Sequence, residues 1–265
     1  MVPVLLQVPT PFGSITIYSF GAMMALGFLI SGYVVALELG RKGVDPEHAW
    51  SIVLWAAVGG IVGSRALAIL ADWQTVLVHP IAAIFSGSGF VWYGGLVGGF
   101  ISVTIYLWRH SLPWLVVVDA VAPALAIGQA IGRVGCQVAG DGDWGNPSTL
   151  PWAMQYPDAI VGWSAWLRES GLPHDTRVHP APVYETLAYS AIFCLLWALR
   201  KRNLPPGSLL WTYFVTSSIA RFTIEMARVE PVIAAGLTQA QWIAIALFTA
   251  GIVLLLLGPG REAAA

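Results

Sequence analysis

WLVVVDAVAPALAIGQAIGRVGCQVAGDGDWG, residues 114–145, opens as an apolar run and ends in glycines and aspartates. Its first part, 114–135, is as long as a bilayer-spanning helix requires, about 20 mostly apolar residues, yet it carries Asp119 and Arg133. The rest of the chain has the same character. Hydrophobic residues make up 57% and charged residues 10%, with a mean hydropathy of +0.72. Water-soluble domains carry about 25% charge, so the composition points to an integral membrane protein. The net charge of −1 gives no electrostatic reason to expect nucleic acid as a partner. The first residues, MVPVLLQVPTPFG, hold three prolines before the glycine in an uncharged run and do not read as a cleaved signal peptide. Cys136 and Cys194 lie far apart and suggest neither a disulfide nor a metal site.

Seven segments have span length and composition: 15–36, 50–71, 79–108, 114–135, 182–199, 207–228 and 239–258. The third is interrupted by Ser86-Gly87-Ser88-Gly89, which predicts a broken helix. The expected fold is therefore all-α: seven transmembrane helices in a single polytopic domain over 1–265. A small cap over 136–181 joins spans 4 and 5. Basic residues set the direction. Arg41, Lys42, Arg109, Arg200, Lys201, Arg202 and Arg261 fall on one side, and Arg168 and Arg177 on the other. The positive-inside rule then places the N-terminus and the cap outside and the C-terminus in the cytoplasm. The cap tryptophans Trp144, Trp152, Trp163 and Trp166 read as part of an interfacial belt.

Four arginines remain within or beside the spans: Arg65, Arg133, Arg221 and Arg228. A span arginine costs at least about 2.5 kcal/mol on insertion scales, so it needs a partner, a cavity or the interface. With the direction assigned above, all four lie toward the outer leaflet. Tyr18, Tyr184 and Glu185 lie there too. Arg221, Glu225 and Arg228 are spaced by four and three and share one helical face. Guanidinium forks match phosphate oxygens, so convergent arginines at this depth suit a phospholipid headgroup. Asp119 reads as the support of a helix break near Pro123 or as a partner of Arg109.

Five stretches carry a resemblance: IYSFGAMMALGFLISG (17–32), WYGGLVGG (92–99), GRVGCQVAGDGDWG (132–145), HPAPVYETL (179–187) and RFTIEMARVEP (221–231). In order and placement they resemble the motifs of bacterial prolipoprotein diacylglyceryl transferases. The usual forms there are H-G-G-L-x-G for the second, G-R-x-G-N-F-x-N-G-E followed by Trp-Gly for the third, H-P-S-Q-x-Y-E for the fourth and R-F-x-x-E-x-x-R-x-P for the last. The resemblance implies a multi-pass enzyme of the bacterial inner membrane with no cofactor or metal. Such an enzyme moves the diacylglyceryl group of phosphatidylglycerol onto the lipobox cysteine of a secreted preprolipoprotein.

Carried over, the resemblance implies that Arg133 and Arg221 hold the phosphate, that Glu225 orients Arg221, and that Asp141 takes the place of the signature glutamate. Tyr18, Cys136, Tyr184, Glu185 and Arg228 complete the substrate-binding set. Tyr93 stands where the family has histidine, Cys136 where it has asparagine, and Ala181-Pro182 where it has Ser-Gln. Tyr93 either accepts the thiol proton or hydrogen-bonds the lipid; Asp141, Asp143, Glu185 and His179 are the other candidate bases. The second functional expectation is a protein that binds anionic phospholipid without catalysis, as a carrier, scaffold or regulator.

Overall fold

A computed structural model describes residues 1–10, 13–73 and 91–257. The chain opens with a hairpin of β1 (Val4–Thr10) and β2 (Gly13–Tyr18). Then come α1 (Ser19–Arg41), α2 (His48–Ala71), α3 (Trp92–Arg109) and α4 (Trp114–Ala139). A short α5 (Trp163–Glu169) sits in the cap, followed by α6 (Ala181–Leu199) and α7 (Ser208–Glu225). A second ribbon, β3 (Val232–Ala234) with β4 (Leu237–Thr238), leads into α8 (Gln239–Leu257). The expected break at Ser86–Gly89 and the start of the third span lie outside the described residues.

Helices dominate, but the two ribbons amend the all-α expectation. Residues 15–18 were expected to open the first span and instead finish β2. Ser14-Ile15-Thr16-Ile17 alternates polar and β-branched apolar residues, a pattern that suits a strand better than a helix. Among the described helices, α1, α2, α4, α6 and α8 are long and apolar enough to cross a membrane, and the chain is a multi-pass membrane protein. α3 and α7 have 18 residues each, and α7 is the more polar, carrying Arg221 and Glu225.

The described residues form two compact units, one of residues 35–118 and one of 1–34 with 119–265. In the first, α2 and α3 meet through glycines. A Cβ on Gly63 would sit 2.3 Å from the Gly94 carbonyl oxygen, and one on Gly98 would sit 2.3 Å from that of Gly59. The GGLVGG stretch thus lets two backbones touch, as small residues do between membrane helices.

In the second unit, Asp119 holds the start of α7. Its carboxylate accepts the backbone N–H of Gly207 (2.9 Å), Leu209 (2.9 Å) and Leu210 (3.1 Å). The expected link between Asp119 and a helix break is replaced by this cap, and α4 runs through Pro123 without interruption. Gly207, with φ +94°, turns the chain into α7 and brings no capping side chain, so a carboxylate from α4 supplies the acceptors.

The cap has its own core. Trp144, Tyr156, Trp163, Leu167 and Val178 are buried together, with Trp166 stacked on Trp163. This corrects the belt reading for Trp144 and Trp163, which fill the interior of this segment's own apolar cluster. Trp152 remains exposed.

Asp119→Ala leaves three buried N–H groups without their charged acceptor and is expected to destabilise the fold by roughly 3 kcal/mol, with Asp119→Asn costing less. Thermal melting of the detergent-solubilised chain checks the order wild type, Asn, Ala.

Candidate functional site

The unit of residues 1–34 and 119–265 brings together three of the four singled-out arginines. α4 carries Arg133 in its last turns, α6 carries Glu185 one turn from its start, and α7 carries Arg221 and Glu225 at its end. Glu185 is fully buried and lies between two guanidiniums. Its Oε2 is 2.6 Å from Arg133 Nε and its Oε1 is 2.5 Å from Arg221 Nη1. Arg221 Nη2 lies 2.9 Å from Glu225 Oε2.

Arg228 follows the end of α7 and closes the network from the cap side. Its Nη2 is 2.9 Å from Asp143 Oδ1 and 2.8 Å from Glu230 Oε1, and its Nε is 3.5 Å from Glu225 Oε2. Asp143 also ion-pairs with Arg133, so one carboxylate bridges Arg133 and Arg228. The expected convergence of Arg133, Arg221 and Arg228 is present, but the three guanidiniums are held by four carboxylates. Buried charge demands partners, and the chain supplies them from its own side chains. The network is not sealed: the side chains of Arg133 and Arg221 remain 26% and 24% exposed, against 6% for Arg228.

The cap is locked to the end of α7 by its backbone. Gly145 N–H donates to the His179 carbonyl at 2.8 Å, Asn146 N–H to the Ala227 carbonyl at 2.7 Å, and Asn146 Nδ2 to the Arg228 carbonyl at 3.0 Å. A Cβ on Gly145 would stand 2.2 Å from the Ala227 oxygen, so this position admits only glycine. The clamp fixes the Asp141–Asp143 loop beside Arg228.

The remaining expected residues fall as follows. Cys136 is buried one turn after Arg133, with its sulfur 4.0 Å from Arg133 Nη1. Asp141 hydrogen-bonds the backbone N–H of Asp143 at 3.3 Å and makes no ion pair with the arginines among the described residues. Asp143, and not Asp141, is the aspartate of this loop that ion-pairs with Arg133 and Arg228. The donor atoms of Cys136, Asp141 and Asp143 lie within 4.8 Å of one another, but Asp143 is already engaged by two guanidiniums.

Tyr184 accepts the Trp152 Nε1–H at 2.7 Å, and its hydroxyl is 3.1 Å from His179 Nδ1. Tyr18 is exposed at the end of β2. Tyr93, near the start of α3, and Arg65, in α2, belong to the unit of residues 35–118. Glu230, Thr238 and Gln241 were not singled out from the sequence. Thr238-x-x-Gln241 is nonetheless a legible capping signature.

Burial works to raise the Asp143 carboxyl, but the Arg133 and Arg228 guanidiniums overcome it and hold the group below the usual aspartate range. Asp143 is therefore an anion at neutral pH and a weak proton acceptor.

The sequence matches the family model described as prolipoprotein diacylglyceryl transferase over residues 3–257. Among its relatives is a Clostridium tetani protein, 30% identical over 232 residues and covering 87% of each chain. A Gloeobacter violaceus protein is 30% identical over 238 residues, 88% of this chain and 85% of its own. One from Paraburkholderia phymatum is 30% identical over 279 residues, 92% and 90%. All three are named phosphatidylglycerol--prolipoprotein diacylglyceryl transferase. With its arginine motifs gathered in one network and the match running through nearly its whole length, the chain belongs to the prolipoprotein diacylglyceryl transferase family.

Proposed function

We propose that this chain transfers the diacylglyceryl group of phosphatidylglycerol to the lipobox cysteine thiol of secreted preprolipoproteins in the bacterial inner membrane. Seven spans, including α3 and α7, hold the N-terminus and the cap outside and the C-terminus in the cytoplasm. The observation that carries the proposal is the pair Arg133 and Arg221, fixed by one buried carboxylate and each still a quarter exposed. The relatives' shared names support a transferase over a lipid-binding scaffold.

In the reaction the thiol loses its proton and sulfur attacks the diacylglyceryl carbon that bears the phosphate ester. The new S–C bond forms as the C–O bond breaks, and glycerol 1-phosphate leaves with the bonding electron pair. The leaving group gains negative charge, which preorganised guanidiniums stabilise. Arg133 and Arg221 take this role, Glu185 and Glu225 aim them, and Arg228 holds the cap side of the site. Tyr18, Tyr184 and Cys136 line the approach of the substrates, and Asp141 receives the proton.

Asp143 has a distinct part. Its carboxylate occupies guanidinium positions that a phosphate would use, so headgroup binding exchanges one anion for another at Arg133. With its side chain 32% exposed and on a loop, Asp143 is the member of the network best able to yield, whereas Glu185 and Glu225 are buried on helices.

Complementation of a strain depleted of its own transferase, with mass spectrometry of a lipobox peptide, tests the activity. Arg133→Ala and Arg221→Ala are each expected to lower turnover by about 100-fold or more; a variant that keeps wild-type turnover would remove that arginine from the site. Asp143→Asn is expected to lower KM for phosphatidylglycerol by several-fold. Collapse of kcat in that variant would instead make Asp143 the base.

The pH dependence follows from the depressed Asp143 carboxyl. Its ion pairs contribute stability above the ordinary aspartate value of about 3.9, and this is lost as pH falls through the lower folded value. Melting temperature is expected to hold from neutrality to about pH 4 and to fall below it, with a shallower fall in Asp143→Asn.

A further inference from the structure

Beside the arginine network, the start of α8 is built around one hydroxyl. Thr238 Oγ accepts the backbone N–H of Gln241 at 3.3 Å, and Gln241 Oε1 accepts the backbone N–H of Thr238 at 3.1 Å. This reciprocal pair is a capping box, and it satisfies two backbone donors at the helix entry. The same Thr238 hydroxyl donates to Glu225 Oε1 at 2.7 Å. Thr238, Gln241 and Glu225 are all buried.

The two oxygens of Glu225 have different surroundings. Oε2 faces Arg221 Nη2 at 2.9 Å and Arg228 Nε at 3.5 Å, but no N–H among the described residues points along its hydrogen-bonding direction. Its hold on the arginines is set by charge and distance, which constrain orientation weakly. The directional bond is the one at Oε1. Because the helix N–H of Gln241 engages a lone pair of Thr238, the hydroxyl hydrogen is turned toward Glu225. A rotation of the Glu225 carboxylate would carry Oε2 away from Arg221.

We propose that Thr238 is a positioning residue for the phosphate-binding pair: its hydroxyl, oriented by the cap of α8, locks the Glu225 carboxylate and through it the Arg221 guanidinium. The proposal rests on the transferase reading above. It predicts that Thr238 acts where leaving-group charge develops, on kcat and on affinity for the departing phosphate, more than on capture of the lipid.

The test uses the full chain in detergent with phosphatidylglycerol and a lipobox peptide, alongside calorimetric titration with glycerol 1-phosphate. Thr238→Val keeps the side-chain shape and removes the hydroxyl. It is expected to lower kcat and glycerol 1-phosphate affinity by about 10- to 100-fold, the range for a lost hydrogen bond to a charged group, with KM for lipid little changed. Thr238→Ser restores both. Gln241→Leu breaks the other half of the cap but leaves the hydroxyl on Glu225, so it lowers the melting temperature with a much smaller loss of kcat.

Wild-type turnover in Thr238→Val, failure of Thr238→Ser to rescue, or equal kcat losses in Gln241→Leu and Thr238→Val would each overturn the proposal. A wild-type chain that forms no thioether overturns the transferase reading instead. Glycerol 1-phosphate affinity then decides for Thr238: weakening in Thr238→Val supports the lock, and unchanged affinity ends it.

Discussion

A carboxylate with no access to solvent sits between two guanidiniums, and much of the second unit is arranged around that fact. Glu185 reaches Arg133 on α4 and Arg221 on α7 from its place on α6, so three helices must meet in one register. Desolvating any of these charges alone is costly, and removing one partner leaves the others unpaired. The ion network is thus a packing constraint, whatever it binds. It explains why residues widely separated in sequence are held within hydrogen-bonding distance, and why the cap is bolted through Gly145 and Asn146 to the end of α7.

The same constraint separates what the sequence reveals from what it conceals. Long apolar runs are legible because only burial or lipid accommodates them, and the helices follow the expected segments within a few residues. The meeting of Arg133, Arg221 and Arg228 was legible from the direction of the spans. The N-terminal hairpin was not, because an apolar run preceding a helix gives little contrast between strand and helix periods. Which of Asp141 and Asp143 pairs with the arginines is not legible, because the two are separated by Gly142, whose φ of +98° turns the chain. In such a loop, side-chain direction is set by the clamp to Ala227 and His179 and not by spacing. Asp119 was misassigned because its partners are backbone groups nearly ninety positions away, which residue type alone does not signal.

A site made of matched charges has a different character from an open cationic cradle. An exposed cluster of arginines would attract any anion in reach. Here each guanidinium is already oriented by a carboxylate, and on the proposed function an incoming phosphate would have to displace one of them to bind. On that reading selectivity would depend on how well the newcomer spans both Arg133 and Arg221 once Asp143 had moved. The cost of preorganising the arginines is met in the fold, before substrate arrives.

The polarity of α7 has a consequence for how the chain is built. With Arg221 and Glu225 in eighteen residues, this helix has little tendency to leave water by itself. Its counter-charge Glu185 lies on α6, synthesised earlier, so on the seven-span reading proposed above the waiting bundle would offer a polar seat when α7 emerges from the ribosome. On that reading biogenesis would be templated threading, the later, reluctant helix being drawn into the membrane by an ionic group that a predecessor has already carried there.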